Sequence, residues 1–431
     1  VAYKDQGVGS KACVKKFDGT NWAYLDATGS ISAGTGNFTN IAVDPSGVPF
    51  VIYQDGSASA KAAVRKFDGS SWVSVGGATA SVGFAQYQCI AMSGDGTPYI
   101  VYRDNSWYGN PTVRKLDSTG WVNIGGSVSG TTYNANHTSI AVTSGGTIYV
   151  TYLEAVTGVF GVKTYNSTTG SWDFVGGSAI ASGGIGSVVV DHAGVPYICY
   201  ADGTVSGRIT VKKFVSGTWT TVGAPGISIG SGWGRNPMAF NSANEPYICY
   251  GDDSLTGIIV KKFDGTSWVT LGSGIVGSPS NNHSSIAIDG ANNVYVAYFD
   301  AGAGYKVTVK KFGSPTISGS TTVSAGGTLT LTPTISGGTW SSSNVSVATV
   351  GSSTGVVTGI AAGTATISYT LDSCSSTTVV TITAPKPGLS ANENAANISI
   401  YPNPTSGQLS IDVSVTGDLS ILTIDGRVVA S

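Results

Sequence analysis

Charge is what this sequence has least of. Only 11% of its 431 residues are charged, against about a quarter in an ordinary soluble domain, and the formal net charge is −2. Most of the basic residues sit inside one recurring strand phrase and make no patch, so the electrostatic footprint of a nucleic-acid-binding protein is missing. No apolar run reaches the roughly 18 residues that a membrane-spanning helix needs. The five cysteines, Cys13, Cys89, Cys199, Cys249 and Cys374, are odd in number and never spaced as CxxC, which argues against a zinc site. There are three histidines, His137, His192 and His283. They fall in different segments, and no Ser-His-Asp order can be argued from them.

Helix formers are sparse as well, whereas glycine is abundant at 61 residues, about twice its usual share. Gly, Ser, Thr and Val together suit short strands joined by tight turns. A hydrophobic fraction of 41% excludes general disorder.

The organising feature is a repeat of roughly 49 residues across positions 1–312. Tryptophans recur at Trp22, Trp72, Trp121, Trp172, Trp219 and Trp268, in phrases such as WVSVGG (72–77). A strand ending in tyrosine recurs at Tyr3, Tyr53, Tyr102, Tyr152, Tyr200, Tyr250 and Tyr298. A third strand reads VKKF or a variant from 14–17 to 309–312, and a fourth, SIAV-like strand begins at Ile41, Ile90, Ile140, Val188, Met238 and Ile286. Each unit therefore has four short strands, in the order SIAV, tyrosine, VKKF, tryptophan. That is the pattern of an all-β propeller, and a solenoid of this period would need helices that are absent. The count favours seven four-stranded blades, with six as the alternative. The first unit lacks its SIAV strand and the last its tryptophan strand, and Val1 falls inside a strand pattern, so the natural chain is expected to begin upstream. Cys199 and Cys249 hold equivalent places in neighbouring units and read as small buried apolar residues.

The texture changes at Pro315. Period-two alternation, as in TLTLTPTI (328–335) and TATISYTL (364–371), predicts a small antiparallel sandwich over 314–384. The phrase GGTWSSSNVSVATVGSSTGVVTGIAAGTATISYTL (337–371) resembles the bacterial immunoglobulin-like group 2 module. The resemblance implies a spacer. It also implies a cysteine pair whose first position is occupied here by Ser324, leaving Cys374 without that partner. A polar, proline-bearing linker covers 385–397. It leads into ISIYPNPTSGQLSIDV (398–413), where Tyr401, Pro402, Asn403, Pro404 and Gly407 resemble the start of a type IX secretion system C-terminal sorting domain, here partial over 398–431. This resemblance implies export from a Bacteroidota-type cell through the type IX machinery, an extracellular or outer-membrane surface location, and a natural chain that extends past Ser431. The blade repeat itself resembles a group of exported propeller repeats written around SWVxVGSAGFSAG and TPYVAYxD.

Repeats separate scaffold from site, because positions that change from blade to blade are free to serve a ligand. Three residues before each SIAV strand stand Phe38, Tyr87, His137, Ile185, Arg235 and His283, the most varied chemistry in the repeat and at the expected mouth of the central channel. Nearby loops add Trp107, Tyr108, Phe160, Trp233 and Tyr305. Aromatic faces with scattered polar groups suit sugar rings or peptide side chains. The candidate ligand-binding set is therefore Phe38, Tyr87, Trp107, Tyr108, His137, Trp233, Arg235 and His283, and their packing on one another as ordinary loop residues is the competing reading.

An acid follows each repeated tyrosine by two positions: Asp5, Asp55, Asp104, Glu154, Asp202, Asp252 and Asp300. A ring of carboxylates could hold calcium or act as general acid and base. An acid in every blade is also what a turn-forming side chain looks like, and that reading is favoured. No catalytic residue, metal ligand or cofactor is assigned, with calcium on the carboxylate ring as the alternative. The expected function is a secreted or surface-attached binding or adhesion protein whose propeller face contacts a glycan or protein. A propeller glycoside hydrolase or polysaccharide lyase and a structural matrix component are the alternatives.

Overall fold

The computed structural model describes residues 1–384, apart from 131–134, 155–157, 178, 183, 234, 236, 256, 277–278, 313–314, 334–336 and 372–373. Beyond residue 384 it describes the backbone of four short strands: Ile398–Tyr401 paired with Ser410–Val413, and Ile421–Leu422 paired with Val428–Ala430. The chain divides into two compact units. The first comprises Val1–Ile317, Pro333–Thr339 and Tyr369–Ser376, and the second Ser318–Thr332, Trp340–Ser368 and Thr377–Ser431.

The first unit is a β-propeller of consecutive antiparallel meanders. The second blade is typical: Gly36–Val43, Pro49–Asp55, Lys61–Phe67 and Trp72–Ser74 pair in chain order. Seven such sheets run from Ala2 to Phe312. The first (Ala2–Asp5, Lys11–Phe17, Trp22–Tyr24) and the last (Pro279–Ile288, Val294–Asp300, Lys306–Phe312) have three strands. SIAV strands of neighbouring blades stand against one another, which makes them innermost. The tyrosine strand is sealed on both faces: in Pro196–Asp202 every residue is buried.

Four of the repeated tryptophans tie their blade to the one before. Trp121 donates from Nε1 to the Val75 carbonyl at 2.9 Å, and Trp172, Trp219 and Trp268 repeat the bond to Ile124, Val175 and Val222. The acceptor lies just before a VGG turn whose first glycine needs positive φ. Gly76 sits at φ 64, and a Cβ there would meet the Trp121 ring at 2.7 Å. Within each blade the same tryptophan packs on the last residue of the VKKF strand, with ring centroids 5.4 Å apart for Tyr165 and Trp172. The first basic residue of that strand reaches toward the preceding blade, as when Lys163 donates to the carbonyls of Val128 and Ser129 in the loop that packs on the third blade.

The turns between SIAV and tyrosine strands line one face. There Asp44, Asp191, Asn241 and Asp289 each accept two backbone N–H groups of their own turn. Asn244 bridges blades by donating to Asp191 and accepting from the His192 backbone, which accounts for the neighbourhood of His192. The opposite face carries the candidate site.

In the second unit a small core of Leu329, Leu331, Trp340, Ala348, Val357, Ala365, Ile367, Val380 and Ile382 is buried. Thr328–Thr330, Val356–Gly359 and Ala348–Val350 form one sheet of it, matching the alternation in the sequence. The Cys374 side chain lies outside the described residues. Cys13, Cys89, Cys199 and Cys249 are buried free thiols, and burial pushes Cys249 up to about 12.

Candidate functional site

On the face where SIAV strands begin and tyrosine strands end, the inner ladder skips at one place in three consecutive blades. Asn37 pairs with Gln54, but the next pair is Asn40 with Ile52. Gln86 and Arg103 are followed by Cys89 and Val101, and Asn136 and Leu153 by Ser139 and Thr151. Each skip is a bulge with one extra residue on the inner strand. The residues that take up the excess are Phe38, Tyr87 and His137, all in the left-handed region at φ 51, 54 and 54. That conformation costs a residue with a Cβ about 1–2 kcal/mol.

These three side chains form a row. The Phe38 and Tyr87 ring centroids are 5.1 Å apart, and those of Tyr87 and His137 are 4.9 Å apart. All three are half-buried. The bulges are laced from blade to blade: Gln88 Nε2 donates to the Asn37 carbonyl at 3.2 Å, Thr138 Oγ1 to the Tyr87 carbonyl, and Cys89 Sγ to the Thr138 carbonyl at 3.1 Å. The amide before each ring is tied as well. Lys4 Nζ donates to Asn37 Oδ1 at 2.9 Å, Asn105 to Gln86 at 3.2 Å and Arg103 to Asn136 at 3.0 Å. The sequence reading missed this supporting layer, although an amide at 37, 86 and 136, one place before the variable residue, was its visible signal.

Other predicted residues converge on the same region. Arg235, just ahead of Met238–Phe240 in the sixth blade, donates from Nη1 to Cys89 Sγ in the third at 3.1 Å. Burial first, then the charges of Arg235 and His283, push His137 down to about 4. His283 itself is exposed. Trp107 ends a short 3-10 turn (Asn105–Trp107) of the third blade, and Tyr108 caps it at φ 55, where other blades place Gly9, Ser59 or Ser206. Trp107 is 39% and Tyr108 72% exposed. The loop entering the third blade's inner strand lies against this turn, with Asn105 N donating to the Phe84 carbonyl at 3.0 Å, and adds the exposed Phe84. Trp233 lies in the two-residue strand Gly232–Trp233, and its side chain is outside the described residues. Ile185 brings no ring to the row. Phe160 is buried and stacks on Tyr200 at 5.5 Å, while Tyr305 is exposed at φ 60.

Six of the seven repeated acids accept a backbone N–H from the turn that follows them. Asp5, Asp55, Asp104 and Asp202 cap the 3-10 turns by accepting an N–H two residues on, and Asp252 and Asp300 accept equivalent bonds from Ser254 and Gly302. Asp202 also accepts from Thr204 Oγ1 at 2.6 Å and from the Tyr200 hydroxyl at 3.0 Å. Burial opposes its charge, but these bonds outweigh it and hold the carboxyl below its usual range. Among the described residues no group of three or more His, Cys, Asp or Glu side chains could hold a metal ion. Asp202→Ala should cost about 1–2 kcal/mol, the value of a capping side chain. Because the folded carboxyl titrates below the unfolded one, the Asp202 contribution is present at neutral pH and lost as pH falls below about 4. Thermal melts of both proteins at pH 7 and pH 3 check this: the difference should be smaller at the second than at the first.

Residues 305–382 match the family of bacterial Ig-like domains (group 2), and residues 399–431 match the secretion system C-terminal sorting domain. The propeller is thus followed in this chain by an Ig-like domain and an export signal. The Ig-like match begins inside the last propeller sheet, whose outer strand is Lys306–Phe312. No curated protein matches the sequence. Three solved structures illustrate the similarity of the propeller. AofleA from Arthrobotrys oligospora is 12% identical, with 64% of this chain and 82% of that one covered and a TM-score of 0.46. The fucose-specific lectin from Aleuria aurantia is 14% identical (63% and 93%, TM-score 0.42). An ulvan lyase of polysaccharide lyase family PL25 is 13% identical (72% and 88%, TM-score 0.44). At such identities the likeness concerns the fold. No helix among the described residues is long and apolar enough to cross a membrane.

Proposed function

We propose that this is an exported glycan-binding protein, displayed on the cell surface or released, whose sugar site is the bulged face of the propeller. The observation that carries the reading is the row of Phe38, Tyr87 and His137 in left-handed backbone. A scaffold selected for stability alone would place glycine or asparagine at such φ values. Three rings held there in succession, with their faces partly open, trade stability for a ligand surface. Sugar rings present C–H faces that pack on aromatic faces, while their hydroxyls take bonds from the polar groups beside them. Trp107 and Tyr108 extend the aromatic surface outward. Capping by Asp55, Asp104 and Asp202 supports a turn role for these acids over a hydrolytic one.

The test is a glycan-array screen of the full chain, followed by calorimetry on the best-retained oligosaccharide. Trp107→Ala removes a ring that is substantially exposed, so folding should be nearly unaffected while affinity falls about tenfold or more. Retention of no glycan, or full affinity in the Trp107→Ala protein, would overturn the reading. Retention of a protein ligand alone would replace it.

A further inference from the structure

On this face the repeated acids are drawn into turns at the ends of the tyrosine strands, and among the described residues none of them pairs with Arg235. Arg235 is half-buried, yet among the described residues its hydrogen bond goes to the Cys89 sulfur at 3.1 Å, a weak acceptor for a group with five donors. The ion pair found among the described residues joins Lys262 and Glu245 and involves none of this region. The guanidinium also sits next to the aromatic row. Cys89 follows Tyr87 by two residues, and its thiol reaches the carbonyl of Thr138, the residue after His137. The Tyr87 ring packs on His137, the charges of Arg235 and His283 act on it, and Arg103 donates to the neighbouring Asn136. The nearest acid on the paired strand, Glu154 opposite Ala135, is not among the charges that act on His137.

A partly desolvated guanidinium held by Cys89 at the edge of the aromatic row favours an oxyanion, because charge-assisted bonds to a planar fork are strong where water is scarce. We propose that Arg235, with His137 and His283, is an oxyanion-recognising centre that takes the carboxylate or sulfate group of an acidic sugar chain. The inference rests on the glycan reading above and specifies its ligand class. Bound charge would draw a proton onto His137, so a ligand that stays ionised should bind more tightly as pH falls from 7 to 5.

Calorimetry on the full chain tests this with matched probes: trigalacturonate against its methyl ester, and a sulfated galactan oligosaccharide against its desulfated twin. One acidic member should bind at least tenfold more tightly than its neutral twin, and which pair shows the difference tells carboxylate from sulfate. Arg235→Gln should collapse that ratio, and Arg235→Lys should keep part of it, which a folding defect would not do. Affinity for a sulfated probe should rise about threefold or more between pH 7 and pH 5, with a smaller rise in His137→Phe and none when His283→Phe is added. Equal binding of acidic and neutral twins overturns the inference and leaves the glycan reading standing. If no sugar binds but inorganic sulfate does, in a manner that depends on Arg235, the glycan reading fails and the oxyanion centre stands. Binding of neither sugar nor sulfate overturns both.

Discussion

Trp121→Ala is expected to lower the unfolding free energy of the propeller by about 3–5 kcal/mol, the range for truncating a large buried aromatic, whereas Trp22→Ala should cost less than about 1 kcal/mol. Both residues hold the same place in the repeat. Trp121 is 6% exposed, packs against the preceding blade and donates to the Val75 carbonyl. Removing it leaves a cavity and an unpartnered carbonyl at once. Trp22 is 40% exposed, because no preceding sheet covers it among the described residues. Gly76→Ala should approach the larger effect from the other side of the contact, since it combines left-handed strain with a methyl group 2.7 Å from the Trp121 ring. Urea unfolding followed by tryptophan fluorescence measures all three. Equal losses at Trp22 and Trp121 would mean that the tryptophan acts within its own blade and not between blades.

Tyr87→Gly should separate binding from stability. Glycine relieves about 1–2 kcal/mol of left-handed strain. Against that stand about 0.5–1 kcal/mol of extra chain entropy in the unfolded state and the loss of two ring contacts, each worth about 0.5–1.5 kcal/mol. On these figures the net destabilisation lies between about zero and 3 kcal/mol, centred near 1, while glycan affinity falls tenfold or more. Tyr200→Gly is the control: Tyr200 is fully buried, and its loss should destabilise by several kcal/mol. If Tyr87→Gly melts as early as the control, the row is core packing and the proposed function loses its main support.

Much of this architecture was legible from period alone. Four strands per unit, their order, the seven-sheet count and the two short sheets at Ala2–Tyr24 and Pro279–Phe312 follow from where Tyr, Trp and VKKF recur, because identical local sequence folds into identical local structure. The turn reading of the repeated acids had the same origin, and Asp55 and Asp202 are found as caps. The Ig-like module and the sorting domain were legible through local phrases, WSSSNVSVATV and YPNPTSG, that owe little to long-range contact.

The variable residues before the SIAV strands were also visible in the sequence as positions, but their meaning was not. The bulges that hold Phe38, Tyr87 and His137 at positive φ arise from a register that the inner and tyrosine strands settle together. Arg235 meets Cys89 across 146 positions of chain, a separation at which no pattern of spacing signals a contact. Strand identity is written in nearest neighbours and in a period of two. Strained backbone, a crossing guanidinium and an imidazole pushed down to about 4 exist only once several blades are packed side by side. The sequence by itself therefore determined the blade and its repetition, and the tertiary structure decided which blades meet at the candidate site, because the contacts there run between repeats.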